Sequence, residues 1–162
     1  MDEEVQALAA RLVRRLKQVN ATITIAESCT GGLLASTLTD ISGASDWFGQ
    51  SWVCYSYDSK INELNVQSDL LESKGAVNAQ VAIQMAEGAR ERSGADLAIS
   101  ITGIAGPGGS NTKPEGMVCF SVALEKELKL TITKQFGPLG RDTVREKATI
   151  HGLNLLKSAL SN

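Results

Sequence analysis

Between Ala21 and Asp40 a short β-branched run, "ATITIA", passes without a spacer into "ESCTGGLLASTLTD", where Leu33, Leu34, Thr37 and Leu38 recur at helical spacing. A strand feeding straight into a helix is the building unit of layered α/β architecture, and the remaining chain repeats that alternation. Upstream, Val5, Leu8, Ala9, Leu12, Val13, Leu16 and Val19 mark one face of an amphipathic helix. Downstream, "SWVCYS" reads as an extended segment and "YDSKINELNV" as a short helix, which places Tyr55 and Lys60 near a strand end. "SDLLESKG" and "NAQVAIQMAEGARERSG" read as helices, the second with Val81, Met85, Ala86 and Ala89 inward and Gly94 as its C-cap. A buried strand "DLAISITG", a hairpin turning near Glu125 to Leu128 and a closing helix with Val144, Ala148, Leu155 and Ala159 on one side complete the pattern. The expected fold is one α/β domain over residues 1–162, a three-layer α/β/α arrangement whose mixed β-sheet includes one antiparallel hairpin.

Composition narrows the function classes. The 16 Lys and Arg residues against 18 Asp and Glu give a net charge of −2, with no basic block to attract nucleic acid or an acidic membrane surface. No stretch approaches the roughly 20 apolar residues of a membrane span, and the N-terminus is acidic and then amphipathic, so no membrane and a cytoplasmic location are expected. Three cysteines without a CxxC, and one histidine, argue against a disulfide framework and against a metal site. A small-molecule substrate and protein partners remain.

In open α/β sheets ligands bind beyond the carboxyl ends of the strands, and two such exits are chemically unusual here: "AESCTGG" and "ITGIAGPGG". Ser28, at the first exit, suits either an N-cap or a nucleophile, because the donors a cap satisfies are also the donors an oxyanion needs. A serine nucleophile requires a base. His151, the only histidine, falls on or beside the apolar side of the last helix and reads as a packed residue. That leaves a Ser-Lys arrangement, in which a lysine with an ordinary pKa of about 10.4 must be pushed toward neutrality by burial or a nearby cation. Lys60 is the best placed, although a solvated helix lysine has the same local sequence, and Tyr55 is either a half-buried sheet residue or a phenol that relays a proton. Cys29 is an alternative nucleophile or a small buried packing residue. The loop carrying Gly103, Gly106, Gly108 and Gly109 is an anion cradle or a flexible connection; it lacks the lysine of a Walker A loop. Arg141 and Arg145, in the first turns of the last helix, either pair with a phosphate or solvate the helix.

The segments "TIAESCTGG", "SGASDWF", "YSYDSK", "GAV", "SITGIAGPGG", "KPEG" and "GRDTVRE", in that order and spacing, resemble the CinA C-terminal domain family in its stand-alone form. Enzymatic members of that family are nicotinamide mononucleotide deamidases of the PncC type. The resemblance implies hydrolysis of the carboxamide of nicotinamide mononucleotide to nicotinic acid mononucleotide and ammonia, in pyridine nucleotide recycling, with no cofactor and no metal. It also implies Ser28, Tyr55 and Lys60 as catalytic residues. The implied substrate-binding positions are Glu27, Cys29, Thr30 and Gly31 around the serine, Thr102, Gly103, Ala105 and Gly106 in the glycine loop, and Arg141 and Arg145. A homodimer is implied as well. Tyr57 stands where many members carry asparagine, and its bulk beside Lys60 is expected to narrow the pocket or change which nucleotide enters; Asn65 replaces a frequent glycine. A catalytically silent nucleotide-binding or regulatory protein is the alternative the same resemblance allows.

Overall fold

The computed structural model describes residues 2–125 and 127–161; Met1, Lys126 in the expected hairpin turn, and Asn162 lie outside the described residues. Five strands form one sheet: β1 (Ile23–Glu27), β2 (Phe48–Val53), β3 (Leu97–Gly103), β4 (Met117–Leu124) and β5 (Glu127–Gln135), in the order β2-β1-β3-β4-β5. β1 runs parallel to both β2 and β3, whereas β3 to β4 and β4 to β5 are antiparallel. Helices α1 (Glu3–Gln18), α2 (Leu33–Thr39) and α6 (Arg141–Ala159) pack together on one face of the sheet. On the other face lie α3 (Tyr57–Leu64), α4 (Ser68–Lys74) and α5 (Ala79–Ser93). This is the expected three-layer α/β/α domain with a mixed sheet.

Covering both faces explains why the central strands read as continuous apolar runs rather than alternating ones. Every residue of β1 is buried. Ile23 and Ile25 join Leu97, Ile99, Leu12 and Leu153 in the core under α1, α2 and α6, while Ala26 meets Leu64, Val81 and Met85 under α3 and α5. His151 packs edge-on against Phe120 and Phe136, with ring centroids 4.9 and 6.1 Å away, and burial lowers its pKa, so it is the neutral packed residue expected.

Several boundaries differ from the expected ones, each for a local reason. The stripe of α1 is buried from Val5 to Leu16, but Val19 is 42% exposed because the helix has ended before it and Val19 is the C-cap. The extended segment starts earlier than "SWVCYS" and ends at Val53, leaving Cys54 and Tyr55 beyond β2. Helix α2 begins only at Leu33, since Gly31 and Gly32 hold φ of +59° and +101° and interrupt any helix starting at Glu27. Asn65 takes φ +58° as the C-cap of α3, a left-handed conformation that asparagine tolerates better than other non-glycine residues, so it fills the glycine's conformational role.

Lys60 is carried by α3, and α3 is seated by α5 at Gly88. A Cβ on Gly88 would lie 1.9 Å from the Leu64 carbonyl oxygen, so the two helices meet only because that side chain is missing. Gly88→Ala must push α3 outward, and overpacking of this kind costs about 1–3 kcal/mol. Thermal unfolding followed by circular dichroism is expected to show a midpoint several degrees below the wild type; an unchanged midpoint would mean that the helices can part without loss.

Candidate active site

Side chains alternate across a strand, so neighbours at the exit of β1 point to opposite layers. Glu27 shares the face of Ile23 and Ile25, toward α2, whereas Ser28 follows Ala26 toward α3. Fully buried, the Glu27 carboxylate accepts the amides of Leu34 at 3.1 Å and Ala35 at 3.0 Å, two of the donors left open in the first turn of α2. The helix is thus capped from the preceding strand; the N-cap residue itself is Gly32 and supplies no side-chain bond. Ser28 is not a cap, and Glu27, expected among the substrate-binding residues, spends both oxygens on the helix.

Ser28 is 7% exposed, and its amide donates to the Ile101 carbonyl at 2.9 Å, which fixes the residue against β3. Its Oγ lies 3.0 Å from Nζ of Lys60. Lys60 is wholly buried, and its amine also donates to the carbonyls of Cys54 at 2.8 Å and Tyr55 at 3.2 Å. No carboxylate pairs with it among the described residues. Burial therefore pulls its pKa below the ordinary lysine value, opposed by the Cys54 and Cys29 thiols. A neutral amine has two N–H donors and one lone pair. Two carbonyls accept the donors, which leaves the lone pair for the hydroxyl proton of Ser28. That is the arrangement a lysine general base requires.

The turn after Ser28 is held from α6. Arg145 donates to the carbonyls of Cys29 at 3.1 Å and Thr30 at 3.3 Å, and a Cβ on Gly31 would sit 3.1 Å from its guanidinium. The Gly31 amide closes the turn onto the Ser28 carbonyl, while the amides of Cys29 and Thr30 have no backbone acceptor among the described residues. Thr30 is buried with its hydroxyl unpartnered among those residues. The Cys29 thiol is pushed up to about 12, first by burial and then by the charge of Glu27, so it is a protonated packing residue at neutral pH.

The second exit lies beside the first because β3 is the neighbour of β1. Thr102 donates from Oγ1 to the Ala76 carbonyl at 3.0 Å, and Ala105 is buried in the core with Cys29. Gly106 has φ +96°, and a Cβ there would strike the Glu115 carboxylate at 2.4 Å. Glu115 accepts the Gly108 amide at 2.5 Å and the Gly140 amide at 3.0 Å, tying the glycine loop to the start of α6. Nothing in the sequence reading pointed to Glu115; its only signal is its place in "KPEG". Arg141 donates to the Gly106 carbonyl at 2.6 Å and to the Tyr55 phenol at 2.8 Å. With strand order β2-β1-β3, this chain of bonds joins the two exits that flank Ser28. Tyr55 thus offers its carbonyl to Lys60 and its phenol to Arg141, with 56% of its surface exposed.

The family-level model described as CinA C-terminal domain matches residues 5–160. The chain belongs to the CinA C-terminal domain family. The Escherichia coli K12 protein named nicotinamide-nucleotide amidohydrolase PncC is 42% identical over 96% of this chain and 94% of its own length. CinA-like proteins of Geotalea daltonii and Mycolicibacterium gilvum are 47% and 48% identical over 89% and 99% of this chain, which spans only 35% and 36% of their lengths. Among solved structures, the competence damage-inducible protein A of Klebsiella pneumoniae superposes with a TM-score of 0.94 at 31% identity, covering 98% of each chain. The Agrobacterium tumefaciens competence/damage inducible protein superposes with a TM-score of 0.93 at 36% identity, over 98% of this chain and 97% of that one.

Within this CinA domain the Glu27 cap is directly testable. Glu27→Ala leaves two buried amides without acceptors, at about 1–3 kcal/mol each. Its thermal midpoint is expected to fall well below that of Glu27→Gln, which keeps one acceptor, and both below wild type; coincident melting curves would show that α2 does not need the carboxylate.

Proposed function

We propose that this protein is an amidohydrolase that converts nicotinamide mononucleotide to nicotinic acid mononucleotide and ammonia, within pyridine nucleotide recycling. The observation that carries the reading is the buried Lys60 amine, 3.0 Å from Ser28 Oγ and bonded among the described residues otherwise to two peptide carbonyls. The Escherichia coli relative, a nicotinamide-nucleotide amidohydrolase by name and matched along nearly its full length, supports the substrate.

In the proposed reaction Ser28 Oγ attacks the carboxamide carbon while its proton passes to the Lys60 lone pair. The tetrahedral oxyanion is held by the Cys29 and Thr30 amides at the turn that Arg145 fixes. Lys60 returns the proton to the nitrogen as the C–N bond breaks, releasing ammonia and leaving an acyl-enzyme. Water then gives a proton to Lys60 and its oxygen to the acyl carbon; Ser28 departs reprotonated, and nicotinic acid mononucleotide is free. Tyr55 orients the transfer through its carbonyl, while its phenol, Arg141 and the Gly103 to Gly106 segment border the entrance for the nucleotide. The working form in this reading is a cytoplasmic homodimer.

Ammonia release from nicotinamide mononucleotide is expected to fall on the order of a thousandfold or more in Ser28→Ala and in Lys60→Met. It should persist in the presence of a chelator and after treatment with an alkylating agent, since the Cys29 thiol is protonated. The base works only when neutral, so kcat/KM should rise as pH climbs through the lowered Lys60 pKa and be lost as pH falls below it. Wild-type turnover in either variant, or inactivation by alkylation with Ser28 intact, would overturn the mechanism.

A further inference from the structure

A cavity of about 430 Å³ opens between the start of α3, the end of α4 and the long loop after β3, with Tyr57, Gly75, Val77, Ile104 and Lys113 in its wall. Two elements link its wall to the Ser28 and Lys60 pair. Tyr57 and Lys60 are three residues apart on α3 and so share a helix side. The opposite wall, at Ala76, is tied to Thr102, the residue after the Ile101 carbonyl that anchors Ser28.

Of the charged side chains in this wall, Glu72, Lys74 and Lys113, it is Lys113 whose Nζ lies with the Tyr57 hydroxyl beside Gly75. Its ammonium donates to the Lys74 carbonyl, and no carboxylate pairs with it among the described residues, although Glu72 also borders the cavity. A Cβ on Gly75 would lie 3.3 Å from Lys113 Nζ and 3.7 Å from the Tyr57 hydroxyl, so ammonium and phenol converge over a residue without a side chain. Burial lowers the pKa of Lys113, opposed by the Cys119 thiol and joined by the charge of Lys74. Lys74 also borders the cavity, whereas Lys60 bonds to Ser28, Arg145 to the turn carbonyls, and Arg141 to Gly106 and Tyr55.

We propose that Lys113, with the Tyr57 hydroxyl beside it, binds the phosphate of the mononucleotide and sets the preference for phosphorylated over unphosphorylated substrate. An ammonium acts on phosphate as a point charge with several donors, and the phenol adds one more. This assignment rests on the amidohydrolase reading and extends it to a lysine and a tyrosine outside the catalytic pair.

The test is calorimetric titration of nicotinamide mononucleotide and of nicotinamide riboside into Ser28→Ala protein, with and without a second change. Adding Lys113→Met is expected to weaken mononucleotide binding at least tenfold and to erase its advantage over the riboside. Lys113→Arg should restore most of that advantage, and Tyr57→Phe should reduce it by a smaller factor. Unchanged mononucleotide affinity in Lys113→Met, an equal loss for both ligands, or a phosphate-specific loss found only in Arg141→Met would overturn the assignment. If neither ligand binds even with Lys113 intact, the amidohydrolase reading itself fails and this one with it.

Discussion

The C-terminal edge of the sheet is organised by one buried carboxylate that takes the first free amides of a helix. Glu27 caps α2 from within the strand that precedes it, so the intervening turn does not have to supply a cap. That turn is free to curl through Gly31 and Gly32, to present its carbonyls to Arg145, and to leave the Cys29 and Thr30 amides without a backbone acceptor among the described residues. It also releases Ser28 from the role its position at a strand-helix junction suggests. The pleat does the rest: one residue of advance along the strand turns from the capped helix to the opposite layer, where α3 brings Lys60.

Burial without a countercharge pulls the Lys60 pKa below the ordinary lysine value. A lysine bridged to aspartate or glutamate is held protonated, whereas one surrounded by peptide oxygens, a hydroxyl and apolar walls has little to stabilise its cation. The contact between α3 and α5 at Gly88 enforces that burial, because a looser seat would admit water to the amine. Helix packing on one layer and helix capping on the other thereby meet at a single 3.0 Å hydrogen bond.

The layered fold was legible in sequence because its signals are local and periodic: the stripe of α1, the β-branched run of β1 and the Gly94 stop of α5 all lie where their spacing puts them. The site was legible in part. Lys60 and Ser28 were reachable through position and family resemblance, but their distance depends on β2, β1 and α3 coming together, which no local pattern encodes. The capping role of Glu27 was not legible because it caps a helix from seven residues upstream, outside the reach of rules that look for Ser, Thr, Asp or Asn immediately before the first turn. Tyr55 was singled out for its phenol, yet its carbonyl touches the base. Glu115 and Lys113 sit in a loop whose glycines drew the reading, and their roles depend on what the fold brings to that loop.

The two carbonyls around Lys60 have a consequence for how this chain can change. Peptide oxygens belong to every residue, so two of the three hydrogen-bond partners of the amine are specified by the path of the backbone between Val53 and Ser56. Exchanging Cys54 or Tyr55 for a residue that keeps the same path leaves both carbonyls on the Lys60 amine, although it removes the buried Cys54 packing or the Tyr55 bond to Arg141. A contact set of this kind is inherited from the backbone, so a bulky side chain such as Tyr57 sits three residues from Lys60 on α3 without removing either carbonyl from the amine.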